Sequence, residues 1–164
     1  MGFIKKLITS SVLLAGSAVV ASSIYARKYE ENNKQATEEF DSKKEAVQAL
    51  GFNFKEPTKM LENLQRKSYR VFNDKTVCEV RYEEEDGLGV TLRVSNVLRP
   101  EELNNDPNLY NEVESVEIDG VEVSLLGEEG AVEDILFIKD DISYALISEV
   151  AMSSEAAQEI VKSI

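Results

Sequence analysis

The sequence predicts an α+β domain: an antiparallel meander sheet of about seven strands, flanked by an N-terminal and a C-terminal helix. Three observations carry this. Alternating apolar and polar runs recur between turn residues from Ser68 to Ser148. Helical spacing of apolar residues precedes them up to Leu50 and follows them from Ser153. A sharp change of charge sets all of this apart from the first 28 residues.

That change is the clearest organising feature. The 164 residues include 18 basic and 31 acidic ones, a net charge of −13. Residues 1–28 hold Lys5, Lys6, Arg27 and Lys28 and no acid, so the remainder carries 14 basic against 31 acidic residues. Between the basic clusters lies Leu7–Ile24, an uncharged run of 18 residues diluted by serines, a threonine and a glycine. As a helix it reaches about 27 Å, enough for a thin hydrocarbon core. We read residues 1–28 as a signal-anchor or signal peptide, residues 29–39 as a tether, and residues 40–164 as an extracytoplasmic α+β domain.

Three arrangements fit the first segment. An uncleaved anchor places Lys5 and Lys6 on the cytoplasmic side and exports the acidic domain; Arg27 and Lys28 put similar charge on the far side and weaken that orientation. A cleaved signal peptide ends at small residues such as Ala21-Ser22-Ser23 or Ile24-Tyr25-Ala26, and the domain is then secreted. An inverted anchor leaves the domain in the cytoplasm. Leu14-Ala15-Gly16-Ser17 has the form of a lipobox, but Ser17 offers a hydroxyl where thioether formation needs a thiol. Gly2 is not set up for myristoylation, because Lys6 stands where Ser or Thr is required. Tyr25 and Tyr29 flank the apolar run at interfacial positions.

The elements follow in order. Ala36, Phe40, Lys43, Val47 and Leu50 fall at spacings of four and three, which predicts a helix ending at Gly51. Phe52-Asn53-Phe54 runs extended into Pro57. Ser68–Asn73 begins the strands. In Thr76–Glu83, Cys78, Val80 and Tyr82 share one face and Glu79, Arg81 and Glu83 the other. In Leu88–Ser95, Leu88, Val90, Leu92 and Val94 oppose Gly89, Thr91, Arg93 and Ser95, so this pair reads as a hairpin with one wet face. Leu98–Asn111, with two prolines and four asparagines, is a long loop containing a helical turn at Glu101–Leu103.

Val113–Ile118 and Val121–Leu126 flank Asp119-Gly120, the signature of a two-residue type I′ hairpin. Val132–Ile138 and Ile142–Ser148 follow. Ser153 or Ser154 caps a last helix with Ala157, Ile160, Val161 and Ile164 on its apolar side.

The residues Ala46–Pro57, the strand ending at Tyr82, Ile118–Val123 with Leu126-Gly127, and Ser143–Leu146 followed by Ser153–Glu155 and Ile160–Ile164 resemble a C-terminal extracytoplasmic domain of unknown function. That domain occurs in Gram-positive membrane-anchored proteins, lipoproteins and anti-sigma-factor-like regulators. The resemblance implies an exported, accessory or sensory role and assigns no catalytic residue. The chain departs from it at Met60–Leu64, where a proline and glycine are usual, and at Phe137, where tryptophan is common.

Chemistry is sparse. There is no histidine, which removes His-dependent nucleophile systems and the commonest metal ligand. The single cysteine, Cys78, forms no intramolecular disulfide and sits on an apolar strand face. Acid-rich turns at Glu83–Asp86 and at Glu128-Glu129 with Glu133-Asp134 offer oxygens suited to calcium, but lack the Asp-x-Asp-x-Asp loop and read as solvated hairpin ends. We therefore expect no catalytic, cofactor-binding or metal residues, and no cofactor. The acidic balance opposes nucleic-acid binding. The expected function is a non-enzymatic, membrane-anchored binding or sensory domain, attached through residues 7–24, with a protein or envelope partner. The alternatives are an exported hydrolase working through carboxylates and a cytoplasm-facing scaffold.

Overall fold

The computed structural model describes residues 37–164, apart from residues 63, 73, 86, 105–109, 111 and 129. The readings of residues 1–28 and 29–36 lie outside the described residues. The described residues belong to one compact unit. Its strands are β1 (Thr37–Phe40), β2 (Gln65–Phe72), β3 (Cys78–Glu83), β4 (Gly89–Ser95), β5 (Glu112–Ile118), β6 (Val121–Glu128), β7 (Ala131–Lys139) and β8 (Ile142–Met152). Helices α1 (Lys43–Leu50), α2 (Pro100–Leu103) and α3 (Ser154–Lys162) complete it.

The α+β class and the flanking helices are as the sequence predicts, with eight strands in the sheet. Its order is β1-β2-β3-β4-β8-β7-β6-β5, antiparallel throughout. Two four-strand meanders therefore meet at a central β4–β8 pair, and the link from β4 to β5 crosses from the centre of the sheet to its far edge. That crossing is the long loop Leu98–Asn111.

The first predicted helix is shorter than its periodicity suggests. Thr37–Phe40 is a strand paired with β2, Thr37 opposite Phe72 and Phe40 opposite Tyr69. Ser42 then caps α1 by accepting from the Glu45 N–H, and Gly51 ends it at φ +86° with its N–H on the Val47 carbonyl. The tether assigned to residues 29–39 thus runs into the sheet at Thr37.

Asp119 and Gly120 both have positive φ, 51° and 81°, as a type I′ turn demands. Ser153 caps α3 by accepting from the Ala156 N–H. The main core lies between α1, α3 and one sheet face. It includes Ala46, Leu50, Phe54, Tyr69, Val80, Leu92, Ile135, Tyr144, Leu146, Ile160 and Val161. Phe137 and Tyr144 stack there, centroids 4.8 Å apart. The segment between α1 and β2 is fastened to the chain's last helix: the Thr58 N–H donates to the Ser163 carbonyl, and Lys59 pairs with Glu159 at 2.8 Å.

The second face corrects the expectation of a wet hairpin. Every residue of β4 is buried, including Thr91, Arg93 and Ser95. A second, smaller apolar cluster of Val77, Leu103, Leu126, Leu136 and Ala145 explains it, with Phe72, Leu98 and Tyr110 packed around. The described part of the β4–β5 link lies on this face, α2 packing against β4, β7 and β8 and Leu98 and Tyr110 against the small cluster. No helix among the described residues is long and apolar enough to cross a membrane.

Candidate functional site

The polar chemistry of the domain divides between the two faces. On the helix side, the Glu56 carboxylate accepts from the Tyr69 hydroxyl at 3.0 Å and the Tyr82 hydroxyl at 2.9 Å, with Lys43 Nζ 3.9 Å away. Lys43 also lies over the Phe54 ring, 4.8 Å from its centroid. Glu56 thereby lets two core tyrosines satisfy their hydroxyls without leaving the core, an arrangement that holds the loop after α1 on the sheet.

On the second face, strand pairing places opposite charges side by side. Glu39, Arg70, Glu79 and Arg93 occupy one row across β1, β2, β3 and β4. Arg70 meets Glu39 at 3.0 Å and Glu79 at 3.7 Å, and Arg93 meets Glu79 at 3.0 Å. The row passes from exposed at Glu39 to buried at Arg93, whose side chain is 7% exposed. Arg93 Nη1 then donates to the Leu103 carbonyl at 3.0 Å. The buried guanidinium thus ties α2 to the sheet with a charge-assisted hydrogen bond. One row over, Arg81 bonds Glu83, Thr91 and Glu149, and Glu149 also accepts from the Gly89 N–H.

The strap formed by Leu98–Asn104 and Tyr110 has further fastenings. Ser95 Oγ accepts from the backbone N–H groups of Val97 and Leu98 at 3.1 and 3.0 Å. The Arg99 N–H donates to Glu102, and Pro100 opens α2, where its missing N–H costs nothing. Beneath the strap is Asp134, 1% exposed. Burial raises its carboxyl from the ordinary aspartate range to about 7. The Tyr110 and Asn104 side chains and the Ser148 backbone favour the charged form, and Glu133 opposes it. Burial also raises Tyr110 and Glu133, each with a nearby carboxylate adding to the effect. Two polar atoms here, Asp134 Oδ1 and Asn104 Nδ2, have no hydrogen-bond partner among the described residues. The amide lies close enough to bias the carboxyl without completing a bond to that oxygen.

Beside the strap is an open cleft of about 550 Å³. Arg99, Pro100 and Glu101 form one wall, and Glu122, Ser124, Leu136 and Ile138 line the strands of β6 and β7. Ile138 is 54% exposed. An apolar base with charged groups of both signs at its edge suits a ligand that is partly apolar and partly polar.

The residues weighed from sequence fall in separate places. Cys78 is fully buried on the helix face, and burial, with Glu56 and Glu79 adding, pushes its thiol up to about 12. Glu83 is taken up by Arg81 at 2.6 Å. Glu128 is exposed, Glu133 half-buried and Asp134 buried, so these acids do not share one solvated turn; Asp86 and Glu129 lie outside the described residues. Among the described residues no group of three His, Cys, Asp or Glu side chains is placed to hold a metal ion.

Arg93, Asn104 and Tyr110 were not picked out by sequence reasoning, and Asp134 was read only as one acid of a solvated turn. A signal was present. Ile135-Leu136-Phe137 and Tyr144-Ala145-Leu146-Ile147 are unbroken apolar runs, which occur where both faces of a strand are covered. Asp134 shares its face with Leu136, so a cover over Leu136 buries Asp134 as well.

No protein-family model, curated protein or solved structure matches the chain.

Proposed function

We propose that the chain is a membrane-anchored binding or sensory module, non-enzymatic, whose acidic α+β domain stands outside the cytoplasm and engages a protein or envelope component. One observation carries this reading: residues 1–28 are basic, apolar and free of acids, while all 31 acidic residues lie beyond them. Relatedness adds no weight, since nothing matches; the support is physical. The cleft beside the strap, with Arg99 and Glu101 on its wall and exposed Ile138 at its base, provides a surface for a partner of mixed character. The charge of the domain favours basic or neutral partners over nucleic acid or anionic lipid.

Protease treatment of intact cells, with N-terminal sequencing of the mature chain, tests the placement. Digestion of the domain in whole cells is expected. A domain protected until the cells are lysed overturns the exported reading, and a mature chain starting after residue 20 replaces the anchor with a cleaved signal. For the binding role, crosslinking from position 101 on the cleft wall in intact cells is expected to recover a defined partner that the same chain carrying Ile138→Asp fails to recover. An unchanged crosslink in that variant removes the cleft from the reading.

A further inference from the structure

We propose that the strap Leu98–Asn104 with Tyr110 is a pH-operated cover: it is held on the second sheet face while the Asp134 carboxyl is neutral and released when that carboxyl ionises. The geometry carries the inference. Asp134 is 1% exposed, and its polar surroundings include two strap side chains, Tyr110 and Asn104. Hydrating the carboxylate therefore requires moving the strap, while the strand pairing of β7 with β6 and β8 stays in place. Asp134 Oδ1 and Asn104 Nδ2 each lack a partner among the described residues, so the closed state under-satisfies a charged carboxylate and suits a neutral one.

The groups around the site push the same way. From β7, Glu133 disfavours the charge on Asp134. From β6, Glu128 acts on Glu133 and Tyr110. From β8, the Ser148 backbone favours the charge, as do Tyr110 and Asn104 from the strap, but burial outweighs all three. From β4, Arg93 directs its guanidinium to Glu79 and the Leu103 carbonyl. The shift of Asp134 to about 7 places the transition in the range that an envelope or a medium traverses.

Release has a defined consequence. Leu103 leaves the small cluster of Val77, Leu126, Leu136 and Ala145, and Arg93 loses the Leu103 carbonyl. Arg93 and Leu136 are then uncovered. The cleft loses its Arg99–Glu101 wall in the same movement. The inference stands apart from the binding role, because the movement needs no partner.

Amide hydrogen exchange of the full-length chain between pH 4 and pH 8 tests it. Allowance is made for the intrinsic acceleration of exchange with pH, and the β4 and β8 amides serve as internal reference. The strap amides are expected to lose up to about tenfold protection per pH unit between about pH 4 and pH 7, since the open form binds fewer protons than the closed form. In Asp134→Asn that extra dependence is expected to vanish while the strap stays protected. Strap protection that follows only the intrinsic rate in the unsubstituted protein overturns the proposal. So does an Asp134→Asn variant with the same dependence, or loss of protection by β4 and β8 in step with the strap. The unsubstituted pH series is decisive even if the variant fails to fold.

Discussion

Replacing Asp134 by Asn should stabilise the fold at neutral pH, and by an amount that grows with pH in a defined window. The native carboxyl titrates at about 7, against 3.8 for a free aspartate. Its native pKa is raised, so the folded protein binds more protons than the unfolded chain between those values, and unfolding free energy falls as pH rises through that window. Three units at about 1.4 kcal/mol each set a ceiling of about 4 kcal/mol. Below about pH 3 the carboxyl is neutral in both states and the penalty is absent. Asn keeps the shape and cannot ionise. The difference between Asp134→Asn and the unsubstituted protein should therefore be level below about pH 3, climb with pH, and level again by pH 7–8. Urea unfolding at half-unit pH steps measures it, and taking the difference cancels the contributions of the other carboxylates. Two parallel curves, offset by a constant, would refute the claim that Asp134 is held neutral by burial.

Other substitutions probe the rest of the second face and the core. Arg93→Met leaves the buried Glu79 facing Arg70 at 3.7 Å, and should cost about 3 kcal/mol in urea unfolding; Glu79→Met added to it should recover part of that loss, and strict additivity would deny the coupling. Gly89→Ala drives a Cβ into the Tyr82 carbonyl across the β3–β4 pair and should lower stability by about 1–3 kcal/mol, visible as a reduced thermal midpoint. Cys78, buried with its thiol raised to about 12, should react with a maleimide at pH 7.5 only as fast as the domain opens, so labelling at the rate of a free thiol would contradict its placement.

What the sequence disclosed depended on how local the controlling interaction was. Asp119-Gly120 announced its turn because positive φ at two successive positions selects few residue types. Ser153 announced α3 because its side chain bonds an amide three residues on. The start of α1 was misplaced for a related reason: Ala36 and Phe40 fit a helical spacing, yet Phe40 equally fits an edge strand facing the core, and the decisive residue is Ser42 with Glu45 three places later. The β4–β8 pairing joins residues about 55 positions apart, and no local pattern encodes which strands become neighbours. The buried polar residues were hidden by that same non-locality. Arg93 reads as solvent-facing until α2 is laid beside it, a choice made by the link between the two meanders.

That link also connects the stability of the domain to its proposed pH response, and the Asp134→Asn curve separates the two. A strap that stayed shut would keep the carboxylate buried until global unfolding, and the difference would climb to its full ceiling of about 4 kcal/mol. A strap that opens gives the ionised protein a cheaper route: the carboxylate meets water at the cost of freeing Leu103 from its cluster and one Arg93 hydrogen bond. The difference then levels at the free energy of opening, below the ceiling and at a lower pH. Leu103→Ala weakens the closed strap without touching Asp134 and should lower that plateau further, while leaving the region below about pH 3 level. A full climb to the ceiling, unaffected by Leu103→Ala, would mean that burial at Asp134 is a static strain of the fold and the strap does not move.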